Sequence, residues 1–94
     1  MEMIYAQTPT PGKKGTNIRR DKYSAIYDAI IAAFSHESEI LFRELPEKVE
    51  EILDGTFEGS IPWYTTTVKL DMESRGILER IPKARPQRLR LRSS

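Results

Sequence analysis

One stretch of the chain, residues 60–92, combines a capped helix, a helix stop and a basic hairpin. Ser60 is a favourable N-cap, and Pro62 lies in the first turn, where its missing N–H costs no helical hydrogen bond. Gly76 can adopt the left-handed conformation that ends many helices. The pattern therefore predicts a helix of about fifteen residues between Ser60 and Gly76.

The residues after this helix predict a two-stranded β-hairpin. Residues 77–81 form a short apolar strand, residues 82–86 form a turn with two prolines, and residues 87–92 alternate between polar and apolar side chains. Leu89 and Leu91 are expected on one face of the second strand. The opposite face is expected to carry Arg88, Arg90 and Arg92.

Side-chain spacing divides the predicted helix into faces, because residues three or four apart lie on the same side of a helix. The face expected to meet the core consists of Ile61, Tyr64, Val68 and Met72. The face expected to meet solvent consists of Thr65, Thr66, Lys69 and Glu73. The helix therefore has one apolar stripe and one polar stripe.

A second apolar stripe runs along the flank of the same helix, through Trp63, Thr67 and Leu70. Exposure of a tryptophan beside a leucine is unfavourable, so we expect something to cover this flank. Three covers are compatible with the sequence: the N-terminal segment 3–5, a second copy of the chain in a homodimer, or a different protein.

The preceding residues predict two more helices and a short strand. Asp21 is expected to cap the first helix, and the second helix is expected to end at about Leu53. The buried stripe of the first helix is Tyr23, Ile26, Tyr27, Ile30 and Phe34. The inward positions of the second are Leu45, Val49, Ile52 and Leu53. Residues 40–42 between these helices are long enough for a short strand only.

The phrase VKLDMESRGILER resembles the end of the recognition helix and the start of the wing in the winged helix-turn-helix superfamily, and the resemblance covers residues 21–92. The runs PGKKGTNIRRDKY and YTTTVKLDMESRGILERIPKARPQRLRLR resemble a family of short, uncharacterised bacterial proteins with that fold. The resemblance implies an α+β winged helix with a three-helix core, a first strand paired with the C-terminal wing, and a DNA-binding ancestry. It implies no activity.

Composition and length predict one small domain. Residues 1–20 hold prolines, glycines and polar residues and are expected to form an extended, partly flexible N-terminal arm, followed by the winged-helix domain at 21–92. The chain has no cysteine, which excludes disulfides and thiol catalysis. No apolar run approaches the length of a membrane span and the N-terminus lacks a signal-peptide pattern, so a cytoplasmic location is expected.

Charge is distributed unevenly, although the net charge is only +1. Residues 1–22 sum to +3, residues 23–59 to −7 and residues 60–94 to +5. The cations expected to contact phosphate or a narrow groove are Lys83, Arg85, Arg88, Arg90 and Arg92. The arm could add a second contact through Lys13, Lys14, Arg19 and Arg20. The acidic second helix is expected to be a solvated face.

These features favour a DNA-binding protein, such as a transcriptional regulator, that binds duplex DNA with modest sequence preference. Besides the hairpin, the third helix is expected to present Thr65, Thr66 and Lys69 to the major groove. Its first three turns lack the arginine, asparagine and glutamine side chains that read bases with paired hydrogen bonds. The alternative is a protein-interaction or dimerisation module that uses the flank of Trp63 and Leu70 and binds no DNA.

Enzymatic chemistry has little support in the sequence. His36 is the only histidine and has no evident second ligand or nucleophile, so no catalytic residue and no metal site are predicted. The glycine-rich segment 12–15 lacks the strand before it and the helix after it that a phosphate-binding loop requires. Asp71 and Glu73 are two residues apart on a helix and do not face each other. No cofactor, membrane contact or small-molecule ligand is expected.

Overall fold

The computed structural model of the chain describes residues 2–92, which form three α-helices and two small antiparallel sheets in an α+β arrangement. The strands are β1 (Met3–Ala6), β2 (Thr16–Arg19), β3 (Ile40–Leu41), β4 (Leu78–Arg80) and β5 (Arg88–Leu91). The α-helices are α1 (Arg20–Ala33), α2 (Leu45–Leu53) and α3 (Ile61–Ser74). This element order is roughly compatible with a winged helix.

The predicted basic hairpin is present and forms two strands of a three-stranded sheet in the order β3-β5-β4. Leu89 at its centre is fully buried and lies opposite both Ile40 and Arg80. The short strand that the resemblance implied therefore exists and pairs with the hairpin. Leu91, expected on the same face as Leu89, is still 38% exposed because it lies at the end of its strand.

Both predicted boundaries of α3 are confirmed. The Ser60 hydroxyl accepts a hydrogen bond from the backbone N–H of Trp63 at 3.3 Å, which satisfies one of the free donors at the helix start. After the helix, Gly76 has a φ of +76°, the left-handed conformation that glycine adopts without a steric penalty. Local capping alone therefore sets the length of this helix.

The predicted core face of α3 is correct, but the predicted solvent face is wrong for three residues. Val68 and Met72 are fully buried, and Ile61 and Tyr64 are partly buried against the core. The side chains expected in solvent but found buried are Thr65, Lys69 and Glu73. They are buried because α3 packs against the C-terminal sheet as well as against α1 and α2.

The predicted N-terminal arm is extended, but it is folded back as a hairpin, and Met1 lies outside the described residues. β1 and β2 pair along four residues each, and Ala6 and Ile18 on them are buried. The hairpin packs against α1 and α3. The prolines and glycines of this hairpin all lie in the loop that connects its strands, so they do not interrupt either strand.

A buried carboxylate, Asp71 of α3, fixes this N-terminal hairpin in place. It accepts hydrogen bonds from the backbone N–H of Gln7 at 2.9 Å, from the hydroxyl of Tyr23, and from Nε of Arg75 at 2.8 Å. Burial and the bond to Asp71 raise the pKa of the Tyr23 hydroxyl, so this group stays protonated and donates. One carboxylate thus joins the N-terminal hairpin, α1 and α3.

The first helix starts two residues earlier than predicted. Arg19 occupies the N-cap position, and Asp21 lies in the first turn, where it forms an ion pair with Arg19 at 2.6 Å instead of capping the helix. A carboxylate in the first turn is still favourable because of the helix dipole. The predicted buried stripe is present, with Tyr23, Ile26, Ile30 and Phe34 buried and Tyr27 partly buried.

The second helix ends at Leu53 as predicted, with Leu45 and Val49 fully buried. Ile52 was expected to face inward but is 44% exposed. It lies in the last turn of α2 beside an open cleft that His36 and Lys48 border, so periodicity alone placed it incorrectly. No helix within residues 2–92 is long and apolar enough to cross a membrane.

The packing of α3 predicts unequal effects for two neighbouring substitutions. Val68→Ala should lower the free energy of unfolding by about 1 to 3 kcal/mol, because it removes buried apolar area and leaves a cavity. Thr66→Ala, at a half-buried position, should change it by about 0.5 kcal/mol or less. Chemical denaturation of both variants measures the difference. Equal losses would contradict the observed orientation of the helix.

The role of Asp71 predicts a larger loss. Asp71→Ala should lower the free energy of unfolding by about 2 to 4 kcal/mol, because the buried Tyr23 hydroxyl and the partly buried Gln7 amide lose their acceptor. The matched control is Glu79→Ala, which removes an acid from an exposed ion pair and should cost about 1 kcal/mol or less. Hydrogen exchange at the Gln7 amide should accelerate in Asp71→Ala only. Slow exchange in that variant would show that another contact holds the N-terminal hairpin.

Candidate nucleic-acid interface

The outer face of the C-terminal hairpin carries arginines, as the alternation predicted. Arg88 and Arg90 are exposed on β5, and Glu79 lies opposite Arg90 on β4. Nε of Arg90 and Oε1 of Glu79 are 3.3 Å apart, so this one arginine is partly neutralised. Arg88 forms no ion pair with any residue between 2 and 92. The face therefore keeps an excess of positive charge.

The tip and the base of the hairpin extend this charge. Lys83 and Arg85 are exposed in the turn between β4 and β5, and Lys83 has a left-handed φ of +63°. Arg92 follows β5, and its guanidinium lies beside Gly76. None of these three cations has an acidic partner in the described part of the chain. All five predicted hairpin cations are thus exposed on one structural unit.

Lys69, predicted to face the major groove, is instead a buried cation with a relative exposure of 2%. Its Nζ lies 3.3 Å from Oε1 of Glu73, donates to Oε1 of Gln87 at 3.1 Å, and is 4.1 Å from the centroid of the Phe42 ring. Burial lowers the pKa of Lys69, and the adjacent Glu73 carboxylate opposes that shift. In this position Lys69 cannot reach a nucleic acid.

Glu73 connects this buried cation to the hairpin. It accepts two hydrogen bonds from the Arg80 guanidinium, at 2.8 and 3.3 Å, while it pairs with Lys69. Paired bonds of this kind fix both distance and orientation. The network therefore holds β4 against α3. One sequence signal was available, because Lys69 and Glu73 are separated by four residues, the spacing of helical ion pairs.

The two threonines predicted to face the groove differ from each other. Thr65 is fully buried, and its hydroxyl oxygen has no hydrogen-bond partner within residues 2–92. Thr66 is half-buried and is the one of the three predicted groove-facing residues that keeps access to solvent. The surface that α3 can offer to a duplex is accordingly much smaller than its sequence indicated.

The apolar flank of α3 is covered in part. Leu70 and Thr67 share a cleft of about 130 Å³ with residues of the N-terminal hairpin, including Ala6 and Lys14. Trp63 remains 49% exposed, with its ring edge-on to Tyr64 at 4.9 Å. The N-terminal hairpin thus reaches one end of the flank and leaves the other end open. Met3 and Tyr5 belong to the segment 3–5 that was one of the three possible covers, and they are about half exposed themselves.

The cations of the N-terminal segment fall into two groups. Lys13 and Lys14 are exposed in the loop between β1 and β2, and neither forms an ion pair within the described residues. Arg19 is paired with Asp21 at 2.6 Å, and Arg20 with Glu2 at 2.7 Å. Only the two lysines are therefore free to add to a positively charged surface.

Other candidate chemistry stays weak. The segment 12–15 follows strand β1, contrary to expectation, but it leads into β2 instead of a helix. His36 is exposed, and no group of three or more histidine, cysteine or acidic side chains within residues 2–92 is arranged to hold a metal ion. Asp71 and Glu73 have separate partners, in agreement with their spacing.

The Lys69–Glu73 pair predicts an asymmetry between two substitutions. Lys69→Met should change the free energy of unfolding by about 1 kcal/mol or less, because Glu73 keeps its bonds to Arg80. Glu73→Leu should lower it by about 3 to 5 kcal/mol, because it leaves a buried ammonium without an acid. Thermal denaturation compares the two variants. A larger loss for Lys69→Met would mean that the amine itself provides the main attachment.

Comparison with known proteins identifies the family of the chain but assigns it no activity. No curated protein and no solved structure matches the chain. A family model described as "Family of unknown function (DUF6958)" matches residues 3–89, which include the N-terminal hairpin, all three helices and the C-terminal hairpin as far as Leu89 of β5. Since the match extends over nearly the whole chain, the protein belongs to this family of unknown function, DUF6958.

Proposed function

We propose that the protein is a winged helix that binds duplex DNA with modest sequence preference, mainly through the outer face and tip of its C-terminal hairpin. The observation that carries the proposal is the set of exposed cations on that hairpin: Lys83, Arg85, Arg88, Arg90 and Arg92. The element order and the pairing of β3 with the hairpin are compatible with the winged-helix assignment.

The charge balance of the hairpin supports a polyanionic ligand. Of the five cations proposed to contact DNA, four lack an acidic partner among residues 2–92. The fifth, Arg90, is paired with Glu79 on the neighbouring strand. Exposed ion pairs contribute little stability, so Arg90 can exchange its carboxylate for a phosphate at small cost. Arginine also forms paired hydrogen bonds with phosphate oxygens. The hairpin therefore offers about five phosphate contacts, each of which displaces counterions from DNA.

The modest sequence preference follows from the burial of α3. Thr65 and Lys69 are inaccessible, so of the proposed groove contacts on this helix only Thr66 remains. Phosphate contacts position a protein on DNA without reading its sequence. Lys13 and Lys14, exposed in the loop of the N-terminal hairpin, supply a second set of such contacts in this proposal.

A second candidate function is a protein-interaction or dimerisation module. The observation that favours it is the half-exposed Trp63, which extends a cluster of aromatic rings in edge-to-face contact that also contains Tyr64 and Phe57. Tryptophan is common at the centre of protein interfaces. The native mass in solution distinguishes a homodimer from a monomer, and Trp63→Ala should reduce dimerisation without changing the salt dependence of DNA binding.

The proposed DNA contact predicts a specific loss. Arg88→Ser combined with Arg90→Ser should weaken duplex binding and flatten the slope of log affinity against log salt by about 0.9 for each lost phosphate contact. Both side chains are exposed, so the free energy of unfolding should change by about 0.5 kcal/mol or less. Filter binding to a mixed-sequence duplex at several salt concentrations measures affinity and slope together.

Two control variants make this test specific. Arg20→Ser combined with Lys48→Ser removes the same charge from exposed ion pairs outside the hairpin and should leave the slope unchanged. Lys69→Met should also bind as the unchanged protein does, because the ammonium is buried. Unchanged affinity in the folded hairpin variant, or an equal loss in the control, would refute the proposed interface.

A further inference from the structure

The sheet that carries the arginines has two edge strands, the two-residue β3 and the three-residue β4. In an antiparallel ladder, alternate residues of an edge strand direct their N–H and C=O groups toward the neighbouring strand, and the others direct them away. Ile81 donates its N–H to the carbonyl of Arg88, and Arg92 donates its N–H to the carbonyl of Ile77. The backbone groups of Ile77, Glu79 and Ile81 therefore point toward β5. The residues between them, Leu78 and Arg80, direct their N–H and C=O groups away from β5.

A groove of about 450 Å³ runs along this edge. Its opposite wall is the loop segment Pro9–Pro11 of the N-terminal hairpin. Glu73, in the last turn of α3, and Gly76, after the helix, also line it. Proline has no backbone N–H, so this loop is poorly suited to pair with the edge. No backbone hydrogen bond among residues 2–92 connects the loop to β4. The outward groups of Arg80 therefore face an open groove, and those of Leu78, which is 1% exposed, lie at the bottom of it.

The lining of the groove contains two acids and two cations, and Arg92 alone among these four has no ion pair within residues 2–92. Glu73 on its floor is shared between Lys69 and Arg80, and Glu79 on its rim is paired with Arg90. Arg92 lines the same groove and has no acidic partner in the described chain. A carboxylate entering the groove would meet this unpaired guanidinium.

We propose that the groove binds an extended segment of a partner protein, which pairs with β4 as an added strand and places an acidic side chain opposite Arg92. Strand addition of this kind obtains affinity from backbone hydrogen bonds and specificity from side-chain pockets. From strand dimensions, the groove volume accommodates about three residues, the length of β4 itself. The groove shares Arg92 with the proposed DNA contact, but strand addition at β4 does not depend on DNA binding.

A second copy of the chain fits this edge less well. In the register that uses both outward-facing residues of each copy, two antiparallel β4 strands would place their Glu79 side chains directly opposite each other. The Pro9–Pro11 loop would also meet the sheet of the second copy. A single extended strand from another protein avoids both conflicts.

An NMR titration tests the proposal. The ¹⁵N-labelled full chain is titrated with the peptide acetyl-Thr-Val-Thr-Val-Glu-amide, up to millimolar concentration. Its β-branched residues favour an extended backbone. In the antiparallel register that pairs both valines with Leu78 and Arg80, its glutamate lies opposite Ile77, the residue that pairs with Arg92. The expected result is a saturable shift of the Leu78 and Arg80 amide resonances, because these N–H groups gain acceptors. The same peptide with N-methylated valines cannot donate from those positions and should bind at least about tenfold more weakly.

Two chain variants test the acidic contact. Arg92→Gln should weaken binding of the glutamate peptide about two- to fivefold and leave binding of its glutamine counterpart unchanged. Arg88→Gln, an exposed arginine outside the groove, is the matched control and should bind both peptides as the unchanged chain does.

Four results would overturn the proposal. They are the absence of shifts at Leu78 and Arg80, equal binding of the N-methylated peptide, shifts confined to the arginine face, and equal losses in the two variants. Concentration-dependent shifts of the same two amides without peptide, with a doubled native mass, would assign the edge to a second copy instead.

Discussion

The burial of charged side chains along α3 is the constraint on which the rest of the structure depends. Lys69, Asp71 and Glu73 are all removed from water, and a buried charge is tolerated only when it is paired and hydrogen-bonded. Their partners come from different elements: the N-terminal hairpin and α1 supply donors to Asp71, and the C-terminal sheet supplies Arg80 to Glu73. These bonds determine where both hairpins lie relative to α3.

This arrangement changes what the third helix can do. A helix that two hairpins enclose keeps only a narrow accessible strip, which includes Trp63 and Thr66. In the proposed function the helix is a support, and the hairpins that it holds present the charge. Such a division favours binding that depends on phosphate and on shape, because the side chains that would read base edges are absent or buried.

The sequence predicted the features that local chemistry determines. The ends of α3, the end of α2 and the C-terminal hairpin with its exposed arginines all depend on caps, a glycine and alternation within a few residues. Two features could not be read in this way. The burial of Lys69 depends on Phe42 and Gln87, which are distant in sequence. Helical periodicity assigned that face to solvent because its residues are polar, and the spacing contains no information about partners that are distant in sequence.

The N-terminal hairpin was missed for a related reason. Its strands are four residues long and flank a loop with prolines and glycines, so the segment as a whole has the composition of an extended arm. What makes it part of the folded unit is the contact of Gln7 with Asp71, together with the burial of Ala6 and Ile18. Neither is visible in the segment alone.

The contact between Gln7 and Asp71 has a further consequence for the order of events during biosynthesis. The two residues are 64 positions apart, and Gln7 also accepts a hydrogen bond from Ser74, at a separation of 67. β1 is synthesised well before α3 and must therefore wait for that helix before it reaches its binding site. Until then Ala6 and Ile18 have nothing to pack against on that side. Of the described elements, the N-terminal hairpin is made before the three helices and is among the last to be secured.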